Sequence, residues 1–340
     1  MPSYIHSISQ ALPLKSVSNA QLGELHIDWD MDAIFHKTGV AHRYISDNES
    51  AYSLACDAVD KLFQNNVNSL IDIDGIIFCT QSPEFKLPQN SHLIHKYLKL
   101  KNNIMCFDLN LACSGYIYGL AIIDALISNG QLRNVLFINS DTYSKYIHEN
   151  NRSLATLFGD GASASIIKYD SEIEGFFGFT LGSSGQYYDR FIIPKIKLSN
   201  PKLEYRDKFG SLNFENKIEM DGIAVWSFIN SEVPKQINEY LNLLGKSLAE
   251  IDFFIFHQAS KLTLDGLEKT LQIPNNKIIN NLELYGNTVS ASIPMALQKL
   301  LTTNPARIKH GDTILLSGFG VGISFGTTMF KIERPCYVCE

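Results

Sequence analysis

The chain reads as an α/β protein with mixed sheets covered by helices, assembled from two similar halves. Three observations lead there. Strand-like and helix-like patterns alternate along the sequence, the arrangement that builds layered α/β folds. Several stretches repeat 178 positions apart in the same order, the mark of an internal duplication. The 340 residues also exceed the length at which one hydrophobic core stops growing, roughly 250–300 residues, so two packed halves are expected. Their boundary is predicted where Lys168-Tyr169-Asp170-Ser171 follows a strand, giving 1–170 and 171–340.

The elements follow in order. Ala55, Val59 and Leu62 are spaced four and three apart, one face of a helix, and Val233, Ile237 and Tyr240 repeat that spacing 178 positions on. Next, Leu70-Ile71-Asp72-Ile73-Asp74-Gly75-Ile76-Ile77-Phe78-Cys79 lies over Leu248-Ala249-Glu250-Ile251-Asp252-Phe253-Phe254-Ile255-Phe256-His257. Each ends in a short apolar run, which suits a strand buried on both faces. Leu136-Phe137-Ile138-Asn139 lies over Ile314-Leu315-Leu316-Ser317 in the same frame. Between these, Leu109-Asn110-Leu111 aligns with Leu282-Glu283-Leu284 at an offset of 173, which brings Cys113 within one residue of Asn287. Both then stand at turns into predicted helices, 116–128 and 290–301. Residues 141–157 and 171–225 have no counterpart and are rich in Gly, Ser, Tyr and Lys. They read as surface excursions of the kind that line pockets. A pseudo-twofold stacking the halves brings both sets of strand ends to a shared cleft.

Composition narrows the class. Hydrophobic residues make up 45% and charged residues 19%, as in ordinary globular proteins. The formal charge is −6 with no basic run of five or more, which argues against nucleic acid as a partner. No apolar stretch reaches membrane-spanning length and the first residues lack a signal-peptide layout, so no membrane insertion and a cytoplasmic location are expected. Six cysteines in a chain this long do not make a disulfide scaffold. Cys336 and Cys339 form a lone Cys-x-x-Cys, expected to be a flexible tail, and no metal site is expected there.

The candidate chemistry lies in four windows. Cys113 sits in Ala112-Cys113-Ser114-Gly115 between a strand and a helix. A thiol at a helix start feels the positive end of the dipole, which lowers its pKa, and the small neighbours admit a substrate carbonyl. His257 ends the apolar run Phe254-Ile255-Phe256 and precedes Gln258-Ala259. Asn287 lies in Gly286-Asn287-Thr288 before a helix, and Gly318-Phe319-Gly320-Val321-Gly322 follows the last buried strand. Each window alone suits a structural role as well: a buried thiol, a satisfied core histidine, a helix cap, a tight turn.

Taken in this order on a duplicated chain, the four windows resemble the thiolase superfamily, and within it the β-ketoacyl-acyl-carrier-protein synthase III branch. The resemblance runs from Thr38-Gly39-Val40 to Phe325-Gly326, and His257-Gln258-Ala259 and Gly286-Asn287-Thr288 are specific to this branch. It implies a five-layered αβαβα fold and a homodimer. It implies that Cys113 carries an acyl group as a thioester, taken from an acyl-coenzyme A or acyl-carrier thioester, with no resident cofactor and no metal. It implies that His257 and Asn287 donate to the thioester carbonyl of a malonyl-type donor as carbon dioxide leaves, and that backbone N–H groups of Cys113 and the turn Gly320-Val321-Gly322 form a second oxyanion hole. Phe158 and Phe319 are expected to wall the cavity, with Gly222 and Trp226 in the segment that binds substrate. Leu87 takes the place of a residue that limits acyl length and reaches into the partner subunit. Lys37, Arg152, Lys261 and Lys269 are candidates for the entrance used by coenzyme A or an acidic acyl carrier protein.

Several positions depart from the branch's pattern. Its adenine-stacking Trp falls on Ala33, its neighbouring Arg on Lys37, and the Asn and Arg after His-Gln-Ala become Ser260 and Leu262. The usual Gly-Asn-x-x-Phe run becomes Gly222-Ile223-Ala224-Val225-Trp226, and the middle glycine of a Gly-Gly-Gly turn is Val321. Each lost contact weakens bound coenzyme A by on the order of one kcal/mol. A protein-bound acyl group or an unusual primer is therefore expected. Acyl transfer to an amine or hydroxyl without decarboxylation stays open. A hydroxymethylglutaryl-coenzyme A synthase needs a Glu where this chain has Gln81, and the local signature of papain-like hydrolases is absent. Retention of Cys113, His257 and Asn287 argues against an acyl-binding subunit without catalysis.

Overall fold

The computed structural model describes residues 1–64, 68–193, 217–303 and 307–340. The first half runs β1 (Ser3–Ala11), β2 (Ser16–Ser18), α1 (Asn19–Leu25), α2 (Met31–Thr38), β3 (His42–Tyr44), α3 (Ala51–Gln64), β4 (Gly75–Cys79), α4 (Asn90–Tyr97), β5 (Met105–Leu109), α5 (Gly115–Ser128), β6 (Asn134–Asp141), α6 (Arg152–Ala155) and β7 (Gly161–Tyr169). The second runs β8 (Phe176–Ser183), β9 (Phe191–Ile192), β10 (Glu219–Met220), α7 (Gly222–Leu243), β11 (Phe253–Phe256), α8 (Lys261–Leu271), α9 (Leu282–Tyr285), α10 (Ser292–Thr303), β12 (Thr313–Gly320), β13 (Ser324–Lys331) and β14 (Tyr337–Cys339).

Two mixed sheets result. The first has the order β14-β1-β7-β6-β4-β5, the second β11-β12-β13-β8. β4 and β6 are parallel, as are β11 and β12, while β6–β7, β7–β1, β12–β13 and β13–β8 are antiparallel. The second sheet thus repeats the first with the same strand senses. The repeat extends to side chains. Asp74 accepts from the N–H groups of Arg133 and Asn134, and Asp252 accepts from Thr313 N–H, so each carboxylate ties one strand start to its neighbour. Both are preceded by a 3-10 turn, Leu70–Asp72 and Leu248–Glu250.

Alternation along the buried strands sorts side chains into layers. Ile77, Phe137, Ile255, Ile314 and Leu316 join Tyr116, Leu120, Ile293 and Leu297 of α5 and α10 in a core between the sheets. Ile76, Phe78 and Ile138 pack instead against Leu54, Ala58, Leu62 and Ile94 of α3 and α4. Phe254, Phe256 and Leu315 pack against Val233, Ile237, Leu264 and Leu267 of α7 and α8. The layers are therefore helix, sheet, helix, sheet, helix. Among the described residues no helix is long and apolar enough to cross a membrane.

Two expectations change. Residues 171–225 are not only an excursion, because β8 is the edge strand of the second sheet and the counterpart of β1. Its half-exposed face gives it no continuous apolar run. The C-terminal Cys-x-x-Cys is not a flexible tail either: β14 pairs in parallel with β1, so residues past 171 complete the first sheet. Cys336 packs against the core between the sheets and Cys339 against the outer core with α3. The two thiols therefore pack into different layers.

The central layer is tight where α5 crosses β6. A Cβ on Gly119 would stand 2.0 Å from the Phe137 ring. Gly119→Ala is expected to lower stability by about 1–3 kcal/mol, the usual cost of overpacking, read as a lower urea midpoint. An unchanged midpoint counts against this packing.

Candidate active site

Cys113 lies in the turn between β5 and α5, one residue before Ser114, the N-cap. The turn closes through Gly115 N–H to Ala112 O at 2.8 Å. A side chain at 115 would run into Cys79 Sγ, 2.2 Å from the ideal Cβ. From the second half, Gly320 approaches so closely that a Cβ there would be 2.6 Å from Cys113 Cβ and 3.0 Å from its Sγ. Ser114 Oγ meets Ser324 Oγ at 2.7 Å across the same seam.

His257 follows β11, and its backbone N–H donates to Ser317 O of β12 at 2.8 Å. Its buried ring stands edge-on to Phe319, with centroids 5.6 Å apart. Nδ1 lies 2.6 Å from Ser292 Oγ at the start of α10, and Gln258 N–H reaches the same oxygen at 3.4 Å. The Ser292 hydroxyl can donate to Nδ1, and that arrangement leaves the ring proton on Nε2. Gln258 locks the loop: its amide donates to Phe256 O and Ile279 O and accepts from Asn281 N–H.

Asn287 is held by backbone pairing with the other half. Its N–H donates to Leu157 O at 2.9 Å, and Gly159 N–H donates to Asn287 O at 3.1 Å. Gly286 precedes it at φ +66, with its missing Cβ 2.8 Å from Leu157 O, so both conformation and space require glycine. The Asn287 Oδ1 accepts from Val289 N–H at 3.0 Å and Nδ2 faces Ala259 O at 3.4 Å. That second contact leaves one amide hydrogen uncommitted.

Cys113, His257 and Asn287 line one cavity of about 730 Å³. Phe158, Phe319, Gly320, Gly222 and Trp226 line it too, with Lys37 and Arg152. Four other candidates do not. Val321 packs beside the cluster of Cys113, Tyr143 and Phe158, and Leu87 stands 84% exposed. Lys261 pairs with Asp265 on the outer side of α8, and Lys269 lies exposed in that helix's last turn. The cavity adds residues the sequence did not single out, among them Phe191, Met220 and Asp30. Part of 171–225, residues 194–216, lies outside the described residues. Ser292, Asp141 and Ser290 were also missed, because short polar side chains carry no local pattern and their partners are distant in sequence.

The electrostatics correct one expectation. Burial pushes the Cys113 thiol well above its ordinary range, with the charge of Asp141 adding to the effect, and its own backbone N–H opposes them. The helix start does not produce a free thiolate, since the sulfur is only 3% exposed and desolvation dominates. Burial also drives His257 down to about 3, so the ring is neutral. Among the described residues no group of three or more His, Cys, Asp or Glu is arranged to hold a metal ion. The cavity therefore offers a neutral thiol, a neutral N–H donor and an amide donor.

Comparison with known proteins gives the chain's family. The family described as 3-Oxoacyl-[acyl-carrier-protein (ACP)] synthase III matches residues 107–185, and its C-terminal part matches 241–332. A beta-ketoacyl-[acyl-carrier-protein] synthase III of Clostridium perfringens is 34% identical over 320 residues, covering 94% of this chain and 96% of that protein. A crystal structure of a 3-oxoacyl-(acyl-carrier-protein) synthase III superposes with a TM-score of 0.90 at 34% identity, covering 97% of this chain and 99% of that one. A 3-oxoacyl-(acyl-carrier protein) synthase from Burkholderia xenovorans gives a TM-score of 0.91 at 27% identity, covering 100% and 96%.

The buried imidazole links stability to pH. Its pKa is about 3 folded against an ordinary 6.5, so between those values the unfolded chain binds the proton and the folded chain does not. Stability therefore rises with pH across that window and is lost as pH falls, by up to about 1.4 kcal/mol per pH unit from this group. His257→Gln, which cannot take up the proton, is expected to flatten the slope of urea-unfolding free energy between pH 4 and pH 6.5. An unaltered slope contradicts the neutral buried ring.

Proposed function

The chain belongs to the 3-oxoacyl-[acyl-carrier-protein] synthase III family, and from that premise we propose that it joins an acyl group held on Cys113 to a malonyl unit carried on an acyl carrier protein. The observation that supports this most is the cavity shared by Cys113, His257 and Asn287, whose side chains come from separate halves of the chain.

In the first step the Cys113 sulfur attacks the carbonyl of an acyl thioester. A new C–S bond forms, the old one breaks, and the thiol proton leaves with the departing sulfur. Because the resting thiol is protonated and His257 is a poor base, that proton moves as the bond forms rather than beforehand. In the second step the malonyl thioester loses carbon dioxide, and the electron pair of the broken C–C bond becomes an enolate. His257 Nε2–H and the free Asn287 amide hydrogen donate to the enolate oxygen, where charge appears only as the bond breaks. The enolate carbon attacks the acyl-Cys113 carbonyl, the Cys113 thiolate leaves, and a proton from solvent restores it. No resident cofactor is assigned, and coenzyme A and carrier thioesters are substrates.

Further parts of the proposal concern partners. Lys37 and Arg152 at the cavity suit the phosphate of a pantetheine arm, and Ala33 beside them offers no ring on which an adenine can stack. A carrier-bound or unusual primer is favoured over acetyl-coenzyme A. A homodimer is proposed on two grounds: β5 ends its sheet with one edge unpaired among the described residues, and Phe85 and Leu87 stand exposed. A partner subunit covering that edge brings Leu87 to its neighbour's cavity. The six free cysteines support a cytoplasmic location.

Intact-mass spectrometry after exposure to acyl-coenzyme A and acyl-carrier thioesters is expected to show one acyl addition, absent in Cys113→Ala. His257→Ala and Asn287→Ala are expected to keep that addition and to slow carbon dioxide release from malonyl-acyl carrier protein ~100- to 1,000-fold each. Acylation that survives in Cys113→Ala overturns the proposal. Acyl transfer to an amine or hydroxyl with no carbon dioxide released replaces it with the non-decarboxylating reaction.

A further inference from the structure

The reaction above gives no task to Asp141, which ends β6 fully buried beside the cavity. Its Oδ1 accepts from Gln81 N–H at 2.8 Å and from the hydroxyls of Thr80 at 3.3 Å and Ser82 at 3.4 Å, all in the segment after β4. Its Oδ2 accepts from the Ser290 hydroxyl at 2.6 Å, across the seam between the halves. No cation is among these partners. The titratable groups that feel its charge are Cys79, Cys113, Tyr143 and the half-buried Tyr146, neutral groups that burial and this carboxylate hold in their protonated forms. A carboxylate here opposes a Cys113 thiolate, so acylation does not explain its presence.

The turn that it holds offers an explanation. Ser290 lies in the 3-10 turn Val289–Ala291, three positions after Asn287. Val289 is β-branched, fully buried and at φ +53. Such a residue is strained in the left-handed region and stays there only where its surroundings over-determine it. Two hydrogen bonds do so. Val289 N–H donates to Asn287 Oδ1, which fixes the carboxamide with its oxygen turned onto the chain and its NH2 outward. The Ser290 hydroxyl donates to Asp141 Oδ2 at 2.6 Å in a buried setting, where losing a partner is costly.

We propose that Asp141 is a positioning residue for Asn287: by gripping Ser290 across the seam it holds residues 287–290 in their strained turn and keeps the Asn287 amide aimed at the enolate oxygen. The proposal rests on the condensing reaction read above. Asp141 acts through this turn on decarboxylation and condensation; toward Cys113 its charge only opposes the thiolate, so losing it does not slow acylation.

Ser290→Ala removes the hydroxyl that grips and leaves Asp141 the Ser290 N–H together with its donors from Gln81, Thr80 and Ser82. Cys113 acylation, followed by intact mass in single turnover, is expected to stay within about threefold of the parent. Carbon dioxide release by the acylated enzyme is expected to fall roughly tenfold or more, since a misaimed donor loses its catalytic contribution. Asp141→Asn lowers carbon dioxide release likewise while acylation is unchanged or faster, because the charge that opposes a Cys113 thiolate is gone. For carbon dioxide release the double variant is no worse than the worse single one. Equal losses in both half-reactions, or none in either, overturn the proposal. A crystal structure of Ser290→Ala is expected to show Val289 relaxed to negative φ with the Asn287 amide turned. Val289 still near φ +53 with an unmoved Asn287 overturns it independently of activity. A parent enzyme that releases no carbon dioxide, together with a relaxed turn in the variant, sinks the condensing reading and leaves the grip standing.

Discussion

The second sheet meets the nucleophile turn backbone to backbone, and the geometry of the site depends on that approach. Gly318 and Gly320 of β12 and Gly326 of β13 lie against Cys113, Ser114 and Ile117, with ideal Cβ positions only 2.6 to 3.1 Å from those residues. Interiors this dense do not deform smoothly. Any side chain at Gly320 would push Cys113 out of its turn or separate the halves. The absence of side chains on one half is therefore what lets the other half's sulfur reach the seam. His257 follows because β11 is hydrogen-bonded in register to β12, and Asn287 because its backbone pairs with Leu157 and Gly159.

The seam is buried, and that decides which charge states it tolerates. A thiol pushed up and an imidazole pushed down are two outcomes of one desolvation. Neutral groups rest there at little cost, and donors held rigidly in a low-dielectric site interact strongly with charge that appears only in passing. Asp141, pushed up to about 7 by burial and pulled back by Ser290, Gln81 and Thr80, is the exception. Its position behind the strand ends, rather than in the cavity lining, suits a structural grip better than proton transfer.

Much of this was legible in the sequence, for identifiable reasons. Strands buried on both faces, such as 75–79 and 313–320, leave continuous apolar runs, so the duplication could be aligned on them. Cys113, His257 and Asn287 stand in windows whose small or apolar neighbours are themselves constrained by the seam. Other features left no local trace. β8 is half exposed and alternates weakly, and β14 has only three residues. Ser290 and Ser292 look like helix-start residues, and their partners Asp141 and His257 are 149 and 35 positions away. The raised thiol pKa was misjudged because a sequence window gives the helix dipole but not the depth of burial.

The distribution of polar groups also bears on why a carboxylate should be lost in this cavity. Around the sulfur the walls are Phe158, Phe191, Phe319 and Met220, while the cations Lys37 and Arg152 belong to the α2 and α6 side of the lining. In the reaction proposed above, His257 and Asn287 serve the carbonyl oxygen of a malonyl thioester, and Phe158, Phe191, Phe319 and Met220 offer its carboxylate no counter-charge. Decarboxylation moves negative charge from the unserved end to the served one, so the same two donors that bind the carbonyl weakly bind the enolate strongly. A basic residue near the carboxylate would hold it in place and slow its departure. On this view the apolar walls and the two donors act on opposite ends of the same substrate.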